Sequence, residues 1–229
     1  MGSCDSKSAD MSSVPAESPV LYYMPIAARG EVARLVAHVG GLNLVFATEC
    51  SDALKKEAGS PSSLPILVHG ALKISQSHAI VAYLMRIAPL YRSLTPAQHA
   101  KDVQINAIFD DVMSGLAKVL FDPKMKSDPS FAGPAITEHA DKWMAVIEGI
   151  LPAAGFINGL PYPTAADFAM LVMIEGQTPF AGSWKLANYD PFKDAPKLKA
   201  LVERTSTYPD VKQFLSTSET LKGNPFDLP

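Results

Sequence analysis

Cysteine is scarce in this chain: two residues in 229, Cys4 and Cys50, with neither CxxC nor zinc-site spacing. Two thiols cannot build the disulfide framework of a small secreted domain, so a reducing compartment fits best. Positive charge is not in excess either, since 20 Lys and Arg stand against 23 Asp and Glu for a net charge of −3. That removes the basic stripe expected of a nucleic-acid binder. Long apolar runs are absent: the longest, Phe168 to Ile174, falls far short of the ~20 residues of a membrane span. The five histidines, His38, His69, His78, His99 and His139, show no spacing such as HxxxH, so no metal site is expected. Gly40-Gly41 closes a helix instead of opening a phosphate loop.

What is present is a globular composition, with 48% hydrophobic and 19% charged residues, enough for one large or two modest domains with a real core. Residues 1–19 are rich in Ser, Asp and Lys and carry no apolar period, so they read as a flexible tail. The leader MGSCDSKS fits M-G-x-x-x-[ST], which makes N-myristoylation at Gly2 an expectation, with Cys4 available for a second acyl chain. The same residues also read as an unmodified Ser-rich leader. A cytoplasmic protein is expected, tethered peripherally to a membrane if Gly2 is acylated.

From Val20 the pattern becomes regular. VLYYM is a short strand between Pro19 and Pro25, and Val32, Leu35, Val36 and Val39 follow at helical spacing until Gly40-Gly41. Leu44–Thr48 is a second strand, making a β-α-β unit with a parallel pair. After a polar stretch, LPILVHGALKI reads as a hairpin turning at His69-Gly70, and a helix from Ser77 carries Ile80, Tyr83, Leu84 and Ile87 until Pro89. The order β-α-β then β-β-α, over residues 20–90, suits a small mixed sheet with helices on it.

Beyond residue 95 the pattern is helical only. Thr95-Pro96 is an N-cap with Pro at the first helical position, and Ile105, Ile108, Phe109, Val112, Leu116 and Val119 sustain a long stripe. Ile136, Ala140, Trp143, Ile147 and Leu151 give a further helix, and Thr164-Ala-Ala-Asp167 has capping-box spacing ahead of a buried one. Leu198, Leu201, Val202, Val211, Phe214 and Leu215 point to short helices near the C-terminus. Residues 95–229 are therefore expected to form an all-α domain.

Three segments, LYYMPIAARGEVARLV, SLPILVHGALKISQSHAIVAYL and PTAADFAM, in this order, resemble the cytosolic glutathione transferases, and most closely the sigma-like class that uses a tyrosine. The resemblance covers about 200 residues and implies a thioredoxin-like α/β domain followed by an all-α domain. It implies an enzyme with glutathione as co-substrate, no metal and a homodimeric assembly. A free thiol of pKa near 8.5 is only a few per cent ionised at neutral pH, so such a site must stabilise the thiolate with a hydroxyl donor and a nearby cation. The match assigns the hydroxyl to Tyr23 and the cation to Arg29. Tyr22 is the rival, since strand alternation lets only one of the pair face the site, and the ungapped match through Glu31 and Arg34 chooses Tyr23. No Ser or Cys lies in Pro25–Ala28, where other classes place theirs.

Pro65 matches the family's cis-proline, which would let Leu64 pair with the backbone of glutathione's cysteine; an ordinary trans proline at a strand start is the plain alternative. Gln76 and Ser77 match the pair that holds the γ-glutamyl carboxylate at a helix N-terminus, although Ser77 also reads as a simple N-cap. Lys56 is the available substitute for the missing Trp and Lys at the glycyl carboxylate, or a solvated lysine. Ser63 replaces a Lys or Gln. Asp110 and Asp111 lie near where a partner subunit's acid meets the substrate's amino group, with the register putting Ser114 at the expected place. The second substrate, a small hydrophobic electrophile, is expected against Met24, Ile26, Val112 and Leu116. Isomerisation or peroxide reduction at the same site, and a non-catalytic binding or scaffold role, are the competing functions.

Overall fold

The computed structural model describes residues 18–176, 179–218 and 220. The expected tail lies outside them apart from Ser18 and Pro19, and so do Gly2 and Cys4. Strand β1, Val20–Tyr22, pairs in parallel with β2, Val45–Ala47, and antiparallel with β3, Ile66–His69. The hairpin to β4, Leu72–Ser75, turns through Gly70 at φ +57°, a conformation that glycine adopts without strain. The order is β2-β1-β3-β4, the mixed sheet of a thioredoxin-like unit. β1 and β3 hold its middle, where Leu21, Ile66 and Leu67 are fully buried.

Helix α1, Glu31–Val39, makes the crossover from β1 to β2 and ends where Gly41 adopts φ +71°. It packs against α3, Ser77–Ile87, and against the helical part of the chain. One element of this unit was not expected. Helix α2, Asp52–Glu57, is capped by Ser51, whose side chain accepts from Leu54 N at 3.2 Å. It buries no residue, so it carries no apolar period that a sequence pattern would reveal.

The remainder is helical: α4, Pro96–Leu120; α5, Ala132–Ile150; α6, Ala165–Glu175; α7, Phe180–Ala187; α8, Pro196–Thr207; and α9, Pro209–Thr217. α6 is buried on every side from Ala165 to Met173 and forms the hub, touching α1, α4, α7 and α8. On α5 the buried residue is Met144, with Trp143 only partly covered, because the sequence Ile136, Ala140, Met144 keeps a strict four-residue step. α7 also was not expected.

Both predicted caps are present. Thr95 N donates to Gln98 Oε1 at 2.9 Å and Gln98 N returns to Thr95 Oγ1 at 3.3 Å. At α6, Asp167 accepts from Thr164 N at 2.8 Å and from Ile157 N at 2.9 Å. Thr164 Oγ1 in turn donates to Asp102 Oδ1, on α4, at 2.6 Å, and Ala166 N and Asn158 Nδ2 donate to the same oxygen. This buried polar joint fixes α4 against α6, and thereby fixes the register at which α4 reaches the α/β unit.

Candidate active site

The sheet, the start of α3 and the face of α4 enclose a cavity of about 140 Å³ lined by Arg29, Ser63, Leu64, Pro65, Gln76, Ser77 and Asp110. Its walls come from four separate stretches of chain. The Leu64-Pro65 peptide bond is cis, as the sequence match anticipated. The loop before it is tied by Ser60, whose hydroxyl lies 3.0 Å from Ser63 O, its acceptor, and 2.8 Å from Ser63 Oγ. Gln76 adopts φ +72° and ψ 116° immediately before α3, a region that non-glycine residues rarely occupy. Ser77 then opens an 11-residue helix, whose first N–H groups form an anion-binding end at the cavity wall.

Tyr23 lies just past β1, where its N–H donates to Ala47 O at 2.9 Å. Burial alternates along Leu21, Tyr22 and Tyr23, so the two tyrosines take opposite faces and Tyr23 goes to the inner one, 3% exposed. Its ring rests directly on Gly30: a Cβ there would fall 2.4 Å from the ring's Cδ1. Burial pushes the hydroxyl's pKa up to about 12, against the pull of the Arg29 charge and, more weakly, of the backbone N–H groups of Arg29 and Gly30. At neutral pH it is a protonated phenol. As a phenol it has a hydrogen to donate to an incoming acceptor.

Arg29 reaches from the loop before α1 across to α4. Its Nε donates to Asp110 Oδ1 at 2.8 Å and its Nη2 to Ser114 Oγ at 2.9 Å. Nearby, Glu31 is buried, with its carboxyl pushed up by that burial and steadied by Arg34 at 2.9 Å.

Of the residues expected from the sequence, Arg29, Leu64, Pro65, Gln76 and Ser77 converge on one cavity. Tyr23 is not in its lining but abuts it through Arg29 and Gly30. Lys56 is exposed on α2 and outside the lining. The expected acceptor wall is mostly closed, since Ile26, Val112 and Leu116 are core residues while Met24 is 37% exposed. The reason is the helical period itself: the apolar stripe of α4 that suggested a wall is the stripe that packs inward. The polar face beside it, Asp110 and Ser114, meets the site instead. Both were visible in the sequence as candidates for a partner subunit's cavity, and nothing local indicated that they bind Arg29 of the same chain. Among the described residues no group of three or more His, Cys, Asp or Glu could hold a metal ion, and no helix is long and apolar enough to cross a membrane.

Comparison with known proteins bears on the fold that carries this cavity. A family model described as "Glutathione S-transferase, C-terminal domain" matches residues 110–218. No curated protein matches the chain by sequence. Among solved structures, the glutathione S-transferase of Ascaris lumbricoides is 22% identical with a TM-score of 0.66, covering 88% of this chain and 98% of its own. A C. elegans glutathione transferase gives 24%, 0.67, 91% and 99% for the same quantities. A Pi-class enzyme of Onchocerca volvulus gives 19%, 0.69, 90% and 96%. At these identities the structural likeness establishes the fold.

Proposed function

We propose that the chain is a cytosolic glutathione transferase, a reading supported by its matched helical domain and its fold, and that it binds glutathione in the cavity beside cis-Pro65 and transfers the thiolate to a small hydrophobic electrophile. The observation that carries this is the convergence of Leu64, Pro65, Gln76, Ser77 and Arg29 around one cavity from separate parts of the chain. Leu64 offers its backbone to the cysteinyl unit as an added strand would. Ser77 and the N-terminus of α3 take the γ-glutamyl carboxylate. The sulfur then lies towards Arg29 and the hydroxyl of Tyr23.

Tyr23 acts as a hydrogen-bond donor and not as a base, since burial keeps its proton in place through neutral pH. A donor to sulfur favours the thiolate over the thiol, as does the Arg29 charge, so the bound thiol ionises at lower pH than free glutathione. The thiol proton leaves to solvent, the sulfur lone pair forms the new C–S bond, and the displaced group or developing carbanion carries away the electron pair. The electrophile enters at the exposed edge marked by Met24. The family assignment brings homodimerisation with it as part of the proposal, checked by light scattering.

Calorimetric titration with glutathione, followed by conjugation of an activated aryl chloride across pH, tests the reading. Tyr23→Phe is expected to lower kcat/KM at neutral pH by roughly 10- to 100-fold, the cost of removing one preorganised donor at a developing charge, and to move the rate profile to higher pH. Absence of binding at millimolar glutathione sinks the enzyme and its isomerase or peroxidase alternatives together. Binding without turnover on any electrophile or peroxide favours the scaffold role.

A further inference from the structure

Asp110 and Ser114 stand four residues apart on α4 and so share one face of the helix. That face meets the loop ahead of α1 and takes Arg29 by two bonds, from Nε to Asp110 Oδ1 and from Nη2 to Ser114 Oγ. Nε–H and the neighbouring Nη2–H form the fork edge with which a guanidinium engages a carboxylate. Here that edge is consumed by the protein itself. The Nη1 end has no partner among the described residues, while Arg29 and Asp110 both line the cavity.

Two consequences oppose one another. The bonds hold a long, rotamer-rich side chain in one pose, which favours any task needing a placed cation. The Asp110 carboxylate, 2.8 Å from that cation, also offsets part of its field. The pair is about one-third exposed, at 36% and 30%, so solvent weakens the offset without removing it.

We propose that Asp110 and Ser114 are positioning residues for Arg29, that they turn its Nη1 end towards the sulfur of bound glutathione, and that the Asp110 charge sets how much of the guanidinium's field reaches that sulfur. The inference rests on the glutathione reading of the cavity. The other groups facing the sulfur's surroundings are few: the Tyr23 hydroxyl, buried Glu31 with its partner Arg34, and the uncharged wall of Ser63, Leu64, Pro65, Gln76 and Ser77. Asp111 and Lys56 are exposed and outside the lining.

The test compares kcat/KM against pH for the full-length wild type, Asp110→Asn and Ser114→Ala. Asp110→Asn keeps an acceptor for Arg29 Nε and removes the charge, so the profile should move to lower pH by about half a unit or more. Ser114→Ala removes one of the two holds and no charge, so the profile should move to higher pH, with kcat falling more than glutathione KM changes. A purely structural role would alter yield and Tm but not the position of either profile. An Asp110→Asn profile that coincides with the wild type or moves upward overturns the charge role, and an unmoved Ser114→Ala profile overturns the positioning role. If Asp110→Asn does not fold, the serine variant decides. A wild type that does not bind glutathione brings down the underlying reading, whereas a binding, active wild type with unmoved variants brings down this one alone.

Discussion

At the scale of single residues, Gly30 is the close constraint that bears on Tyr23. Its φ of −78° is open to any residue, so the requirement for glycine is not conformational. It comes from the Tyr23 ring, whose Cδ1 and Cγ would lie 2.4 and 2.7 Å from an added Cβ. The ring is walled in by the core and has little room to retreat. Gly30→Ala should therefore cost about 1–3 kcal/mol in urea unfolding, the usual range for overpacking, and depress conjugation by displacing the hydroxyl. Gly149→Ala is the control: it lies within α5 with nothing within 4 Å of its would-be Cβ, and it should gain up to about 1 kcal/mol. A Gly30→Ala variant as stable and active as the wild type would refute this packing account. Residue-level legibility followed locality. Leu64-Pro65 and Gln76-Ser77 were readable because each belongs to one short motif. The Arg29 contacts were not, because they join residues 81 and 85 positions apart.

At the scale of elements, helices with a buried stripe and a cap were legible, and the ones that lack a stripe were not. α2 has a serine cap, an acidic first turn and two lysines in its last turn, all correct helix chemistry, yet nothing on it faces the core. The joint between α4 and α6 makes a prediction of its own. Burial pushes Asp102 up to about 6 and Asp167 to about 7. Both oxygens of Asp167 accept backbone N–H bonds, whereas Asp102 Oδ2 has no partner among the described residues, so a retained proton belongs on Asp102. Below about pH 4 the folded and unfolded chains both hold it. As pH rises from an ordinary carboxyl's 3.8 towards 6, the unfolded chain releases the proton first, so stability falls through that interval and the penalty is complete above it. Asp102→Asn removes this term. Its stability relative to wild type should improve steadily between pH 4 and pH 7, whatever fixed cost the amide brings, when urea midpoints are compared across that range. A difference that stays level with pH would show that Asp102 does not retain a proton on folding.

At the scale of the whole molecule, the change from mixed to purely helical pattern near residue 90 was plain in the sequence, but the packing across it was not. Helix α1 buries Glu31, Val32, Ala33, Leu35, Val36, Ala37 and Val39, more than one amphipathic face, because α3 covers one side and α6 the other. Expressed alone, residues 20–94 would expose the side that α6 covers and lose the hold on Arg29. Such a fragment is expected to aggregate, or to lack a cooperative melt, while the full chain melts in a single transition; a monodisperse fragment with dispersed amide resonances would contradict this. The crossing also bears on how such chains can be recombined. A chimera joined near residue 90 inherits α1 from one parent and α6 from another, so its two halves meet along a surface that neither parent selected together. The heritable unit is the α1–α6 pair, and a productive exchange between relatives would have to move both helices or neither.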